Sequence, residues 1–401
     1  MAREPRRGRG VGLGRRQTMQ ARATLPKGAN LALWLIAVLG VGLLGVLSLS
    51  LANVLPLQTT PGGVAYPAGR VAYFQFGETA DTLWLADPQQ PARREKILVL
   101  PHAREFGVVP SLAAAGGRFA FTALPPETAE PAPDTPADLW LAALDGQSEP
   151  VLLARGVDLL VAPVWSPDGA SLVARRSAGA YQLVALDAAS GGERLLVASE
   201  AALFPVAFAP ASPAGRPDGA RLYYVELTRA GSELLAVDLA TSATARVARL
   251  ADGLTRDWAL SPAGDRLAYL TLNVDQDSVS TRAFVLDLAT TAVTPIGEAG
   301  ANAFSPVWGA DGALAIGSLR DGRAGAGLIR ISDGRASRLP GPARGFDVPL
   351  AATSDGGFVV RAFEGASTAA PGRSVLAVVG AGGRRQTIAT GEVTFLGWIE
   401  P

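Results

Sequence analysis

The chain has no cysteine and a single histidine in 401 residues. The missing thiol excludes disulfides, thiolate catalysis, cysteine-ligated zinc and a lipid anchor through cysteine. The single histidine excludes paired-histidine metal motifs and leaves His102 as the one candidate imidazole base. At the end of a predicted strand, His102 is expected to be an ordinary surface or loop residue. Net charge is also absent, with 36 basic against 36 acidic side chains, and beyond residue 52 no segment sustains a helical apolar period. No Gly-x-Ser-x-Gly elbow is present, so the usual hydrolase serine is missing. No metal and no cofactor are expected.

The zero net charge hides an asymmetry. Residues 1–28 carry eight basic side chains against Glu4 alone, a net +7, and the remainder, 28 basic against 35 acidic, is −7. An acidic body argues against nucleic acid as a partner, because phosphate binding needs a clustered positive field. The basic head reads as a cytoplasmic tail. Leu31 to Leu51 then runs 21 residues without a charge, enough at 1.5 Å per residue to cross a hydrocarbon core of about 30 Å. Residues 29–52 are therefore expected to be a transmembrane anchor. Basic residues on its N-terminal flank keep the tail inside and send the rest outward. Ser50 and Ala52 also form a small-residue pattern that a signal peptidase could cut before Asn53. The apolar run, however, exceeds the roughly 7–15 residues of a signal core, which favours a retained anchor. Either way the body is exported. Pro56, Pro61, Gly62 and Gly63 mark residues 53–65 as a linker.

The rest of the chain is organised around Pro163-Val164-Trp165-Ser166-Pro167-Asp168-Gly169 and the apolar run Leu172-Val173-Ala174. Ser-Pro-Asp-Gly supplies a hydroxyl, a fixed φ, a turn-tolerant acid and a glycine able to take positive φ, so it closes a tight hairpin. Degenerate copies recur about every 48 residues, a period that signals a propeller, solenoid or array. Second-strand runs at Val71, Phe119, Leu172, Leu222, Leu267, Leu314 and Phe358 count seven modules. Third strands follow in register, six of them ending at or near Asp87, Asp145, Asp187, Asp238, Asp287 or Asp333, where a short acid starts the next turn. Short Val, Leu and aromatic runs at this spacing predict an all-β antiparallel fold, a single β-propeller of four-stranded blades over residues 66–401. Seven blades fit best, with six or eight left open by the degeneracy of the second and seventh modules. Val393-Thr394-Phe395-Leu396-Gly397-Trp398-Ile399 reads as a first strand with no second strand after it, whereas module one lacks a clear first strand. Residues 393–399 are thus expected to complete module one and remove an exposed sheet edge.

Trp165-Ser166-Pro167-Asp168-Gly169, Leu260-Ser261-Pro262-Ala263-Gly264 and Trp308-Gly309-Ala310-Asp311-Gly312, each followed by an apolar strand, resemble the WD40-like repeat of TolB-type β-propellers. The resemblance covers residues 66–399 and implies the propeller fold. It is poor for function, since such repeats occur in TolB, in oligopeptidase propellers and in other exported proteins. TolB itself carries six blades behind an α/β domain. With seven modules and no such domain here, its lipoprotein partner is not expected.

In a four-stranded meander, first and third turns share one face, and second loops and inter-blade connectors share the other. Second loops are long at Ala123–Ala137, Asn273–Arg282, Arg320–Ala326 and Glu364–Gly372, so that face and the channel mouth are expected to be the working surface. Its connectors bring opposite charges close in sequence: Arg104 with Glu105, Arg155 with Asp158, Arg256 with Asp257, and Arg344 with Asp347. These eight are the candidate binding residues, with inter-blade salt bridges and solvated rim as their plainer reading. The Pro-spaced acids Glu127, Glu130 and Asp134 do not converge easily as calcium ligands. No catalytic residue is assigned. The function expected is a membrane-anchored, extracytoplasmic, non-catalytic module that binds or scaffolds a protein or polymer of the cell envelope. The alternative is an exported hydrolase or lyase acting on glycans or peptides with carboxylates at the channel mouth, for which two acids a few ångströms apart would suffice.

Overall fold

The structure is a computed structural model. It describes residues 69–400 except 115–116, 178, 211–220, 275–278, 321–326, 366 and 369. The expected tail at 1–28, anchor at 29–52 and linker at 53–65 lie outside the described residues.

Seven four-stranded antiparallel sheets account for all the strands among the described residues. Blade I combines Val393–Ile399 with Arg70–Gln75, Ala80–Ala86 and Glu95–Pro101. Blades II to VII follow in chain order over residues 109–157, 164–199, 202–251, 255–296, 302–338 and 346–390. Within each blade the first strand lies innermost and the fourth outermost. Burial follows this order: the second strand of blade VI, Leu314–Leu319, is buried throughout, and its outer strand, Arg335–Arg338, is exposed throughout. Inner strands of successive blades touch one another in an unbroken circle, including the contacts from blade VII to blade I and from blade I to blade II. The protein is a closed, seven-bladed all-β propeller.

Closure is made by the far end of the chain. Val393–Ile399 pairs antiparallel with Arg70–Gln75, from Arg70↔Ile399 to Gln75↔Val393. It supplies the inner strand of blade I, over a flank that includes the buried Val71 and Tyr73.

The core is a set of apolar layers between blades. Second and third strands alternate their side chains between two flanks, so each blade buries one set of residues against the blade before it and another against the blade after it. Phe119 and Phe121 of blade II pack with Phe74 and Leu83 of blade I, and Ala120 and Leu139 pack with Leu172 and Val184 of blade III. Turn chemistry fixes the hairpins. Gly169, Gly264, Gly312 and Gly356 take φ of 67°, 70°, 73° and 80° at the same place in four first turns, a region that any side chain beyond Cα disfavours. Five inner strands, those of blades I, IV, V, VI and VII, shift register once. Such bulges bend a strand where sheets converge.

One loop is shorter than expected. Asn273–Arg282 reads as a long second loop, but the strands of blade V extend into it from both sides, pairing Asn273 with Ser280 and Val274 with Val279. The β-branched Thr271, Val274, Val279 and Thr281 suit this longer ladder.

Candidate functional site: the loop-bearing face

The chain order within a blade puts second loops and connectors at one end of the ring. There the long segments are 124–136 in blade II, 320–327 in blade VI and 364–373 in blade VII. Proline shapes the first of them, where the Thr128 amide and hydroxyl both donate to the Pro125 carbonyl.

The eight candidate residues do not share one setting. Arg104, Glu105 and Arg344 are exposed on connectors. Arg104 pairs with Glu78 across the neighbouring loop, and Glu105 sits at φ 67° with its amide donating to the Glu78 carbonyl at 2.8 Å. Arg256 and Asp257 pair at 3.0 Å, about three-quarters buried, on the inner strand of blade V where it bulges, with Asp257 at φ 53°. Arg155 belongs to the outer strand of blade II rather than to a connector, and its carbonyl accepts from Arg176 Nη2 at 3.1 Å.

Asp158 and Asp347 are structural. Both lie near sequence-adjacent arginines, yet their carboxylates go elsewhere. Asp158 Oδ2 accepts from Arg175 Nε at 2.5 Å, with both side chains more than nine-tenths buried. Arg175 Nη1 then reaches the Leu203 carbonyl of blade IV, and its guanidinium lies over the Phe204 ring at 4.5 Å. Asp347 is held by both terminal nitrogens of Arg385. Burial pushes its carboxyl up to about 6, although Arg385 pulls the other way. The pairings Arg155–Asp158 and Arg344–Asp347 suggested by proximity are therefore replaced by Asp158–Arg175 and Asp347–Arg385. The paired arginines come from other strands, Arg175 from the second strand of blade III and Arg385 from the outer strand of blade VII, which proximity in sequence does not signal.

His102 is not a surface residue. Its side chain is fully buried in the connector after blade I, stacked on Phe76. Nδ1 lies 2.8 Å from the Ala103 carbonyl and Nε2 lies 3.1 Å from Asp81 Oδ1. Both neighbours are acceptors, an arrangement that favours the doubly protonated imidazole. Burial alone depresses its pKa, but the hydrogen bonds to Asp81 and to the Ala103 carbonyl, with the Asp81 charge, raise it overall. Asp81 also accepts from the Gly77 and Val108 amides and so ties the second loop to the connector.

Arg175 and Asp81 were not among the candidate residues. A charge inside an apolar second strand, as in Leu172-Val173-Ala174-Arg175, is a readable signal. The partners of such a charge are not, because they lie on other strands.

The class that fold and face define is a single clasped seven-bladed propeller whose loop-bearing end is ringed by charged side chains. No family model matches the sequence, and no curated protein matches it. Solved structures do. An oligogalacturonate lyase from Vibrio parahaemolyticus matches at TM-score 0.54 and 13% identity, over 81% of this chain and 87% of that one. A prolyl endopeptidase matches at 0.54 and 14% identity, over 82% of this chain and 49% of its own, so this chain spans about half of it. Both show the fold alone. TolB from Acinetobacter baumannii matches at 0.49 and 16% identity, over 83% of this chain and 67% of that one.

Proposed function

We propose that this protein is a non-catalytic binding or scaffolding module of the cell envelope. It is anchored by residues 31–51 with its N-terminal tail in the cytoplasm and its propeller outside, and it presents the loop-bearing face to an envelope protein or polymer. One observation carries the non-catalytic part. The groups best able to move a proton are committed to the scaffold: the only imidazole in the chain is sealed against Asp81, and the buried carboxylates of Asp158 and Asp347 are each spent on an arginine. What that face leaves open is a rim of exposed or half-buried charge at Arg104, Glu105, Arg256, Asp257 and Arg344, which suits recognition and steering of a partner better than chemistry.

The test is site-specific photocrosslinking of the full-length protein in cells. Probes at Arg104 and Arg344 should capture a discrete partner, and a probe at Asp187, on the opposite face, should not. Equal adducts from both faces, or none from either, would sink this reading. The enzymatic alternative draws on the lyase and endopeptidase with the same fold. It predicts turnover of oligogalacturonate or of proline-containing peptides by the purified protein, and the binding reading predicts none.

A further inference from the structure

The hairpin registers make Thr122, Arg175 and Arg361 equivalent: each stands three residues beyond the second-strand position that pairs with the last residue of the inner strand, in Leu112↔Phe119, Trp165↔Leu172 and Ala352↔Phe358. All three reach forward to a carbonyl near the start of the next blade. Thr122 Oγ1 donates to Leu159 at 2.9 Å, Arg175 Nη1 to Leu203 at 3.2 Å and Arg361 Nη2 to Val393 at 2.5 Å. The two arginines differ in what meets their charge. Arg175 has Asp158 on its Nε, whereas the Nε–H of Arg361 is buried with no hydrogen-bond partner among the described residues. The acids nearby are engaged elsewhere or stand apart: Asp347 with Arg385, Glu364 with Arg373, and Glu392 exposed on the connector with its carbonyl, not its carboxylate, tying Gln75 and Phe76. The connector before blade VII, Gly341-Pro342-Ala343-Arg344-Gly345, contains no acid at all.

We propose that Arg361, at the seam where blade VII meets the closing strand of blade I, is a carboxylate-binding site. A desolvated guanidinium with one carbonyl partner is poorly compensated, and a planar carboxylate matches its paired N–H geometry. Blade III shows the solution this fold reaches when it supplies that group itself, through Asp158. A single fork with one positive charge favours a carboxylate over a multiply charged phosphate. The carboxylate can come from a free organic acid or from an acidic side chain of a partner. The site does not depend on the partner assigned to the loop-bearing face, and its failure would leave that reading standing.

The experiment uses full-length protein in detergent and follows thermal unfolding in sodium acetate against sodium chloride at matched ionic strength and pH. A ligand bound only to the folded state raises the melting temperature with the logarithm of its concentration once that exceeds Kd. The expected rise is about 2–4 °C between about ten and a hundred times Kd, lost in Arg361→Gln and retained in Arg335→Gln, which removes an exposed cation from the outer strand of blade VI. A fluorescent Asp/Glu-containing peptide distinguishes the sources: binding displaced by acetate in wild type and absent in Arg361→Gln assigns the site to a partner's acidic side chain, and an acetate effect without peptide binding assigns it to a free acid. Should Arg361→Gln fail to fold, the wild-type comparison of acetate with chloride and with phosphate still decides. Equal effects of all three anions, or no effect of acetate, would overturn the proposal.

Discussion

A buried arginine is tolerated only when its charge and its N–H groups are met, and Arg175 shows the complete arrangement: carboxylate, carbonyl and aromatic face on one guanidinium. Removing the carboxylate alone strands the cation. Asp158→Ala should therefore cost about 3–5 kcal/mol in chemical denaturation, and adding Arg175→Met should recover most of that loss, because a well-packed apolar replacement avoids the desolvation cost. His102 gives a pH dependence of definite sign. Its folded pKa is raised above the ordinary 6.5, so its stabilisation is fully present below 6.5 and is lost as pH rises through the folded value. Melting temperature should fall across that window in the wild type and stay flatter in His102→Gln; a wild type with no such slope would mean that the imidazole is neutral in the fold. Arg256 and Asp257 are the counter-case, each about one-quarter exposed rather than sealed in a flank. Arg256→Gln with Asp257→Asn, where asparagine tolerates φ near 53°, removes both charges together and strands neither, so it should weaken partner capture and leave melting within about 2 °C.

Between single residues and the ring stands the hairpin, and there the sequence was most readable because the relevant contacts are local. Asp145, Asp187, Asp238 and Asp287 each use one carboxylate oxygen to accept the amides two and three residues ahead, with the Ser or Thr hydroxyl three residues ahead joining the same carboxylate. These bonds hold all four carboxyls below the usual 3.8. Their contribution is present above 3.8 and fades as pH falls through the depressed values, so replacing all four with asparagine should flatten the acid limb of the melting curve. Contacts between blades were not readable in the same way. Trp165 donates to Ser111 and Trp308 to Ala259, across 54 and 49 residues, and Arg118 and Arg266 lie over those indoles while reaching the turn glycines Gly169 and Gly312. Both tryptophans stand beside their first turns in the sequence, but their partners depend on how one sheet docks on the next, which no local pattern encodes. Trp165→Phe isolates one such bond, and losing it should cost about 1 kcal/mol.

At the scale of the ring, the closing strand could be anticipated because it is a first strand without a second, whereas the Arg361 contact that reinforces it could not. The loop-bearing face was readable only as an end of the molecule: loop lengths show which end carries irregular chain, but which charges there face outward depends on the arginines of other strands that claim Asp158 and Asp347. The seam between blades VII and I differs from the other six in a single physical respect, since its two sides are not joined by a short connector alone but by a strand that must arrive from the other end of the chain. Closing it requires ordering nearly the whole propeller first, so the seam is the place where the ring should open. Ending the chain at Glu392 would uncover Val71 and Tyr73, which are completely buried, and should abolish cooperative melting. The absence of native cysteine allows a cleaner test. Gln75 and Val393 face each other in the closing register, and Gln75→Cys with Val393→Cys would form the only disulfide in the protein. Because that bridge shortens the unfolded chain across almost the entire propeller, the oxidised form should melt several degrees above the reduced form. If oxidised and reduced forms melted together, unfolding would begin within a blade rather than at the seam.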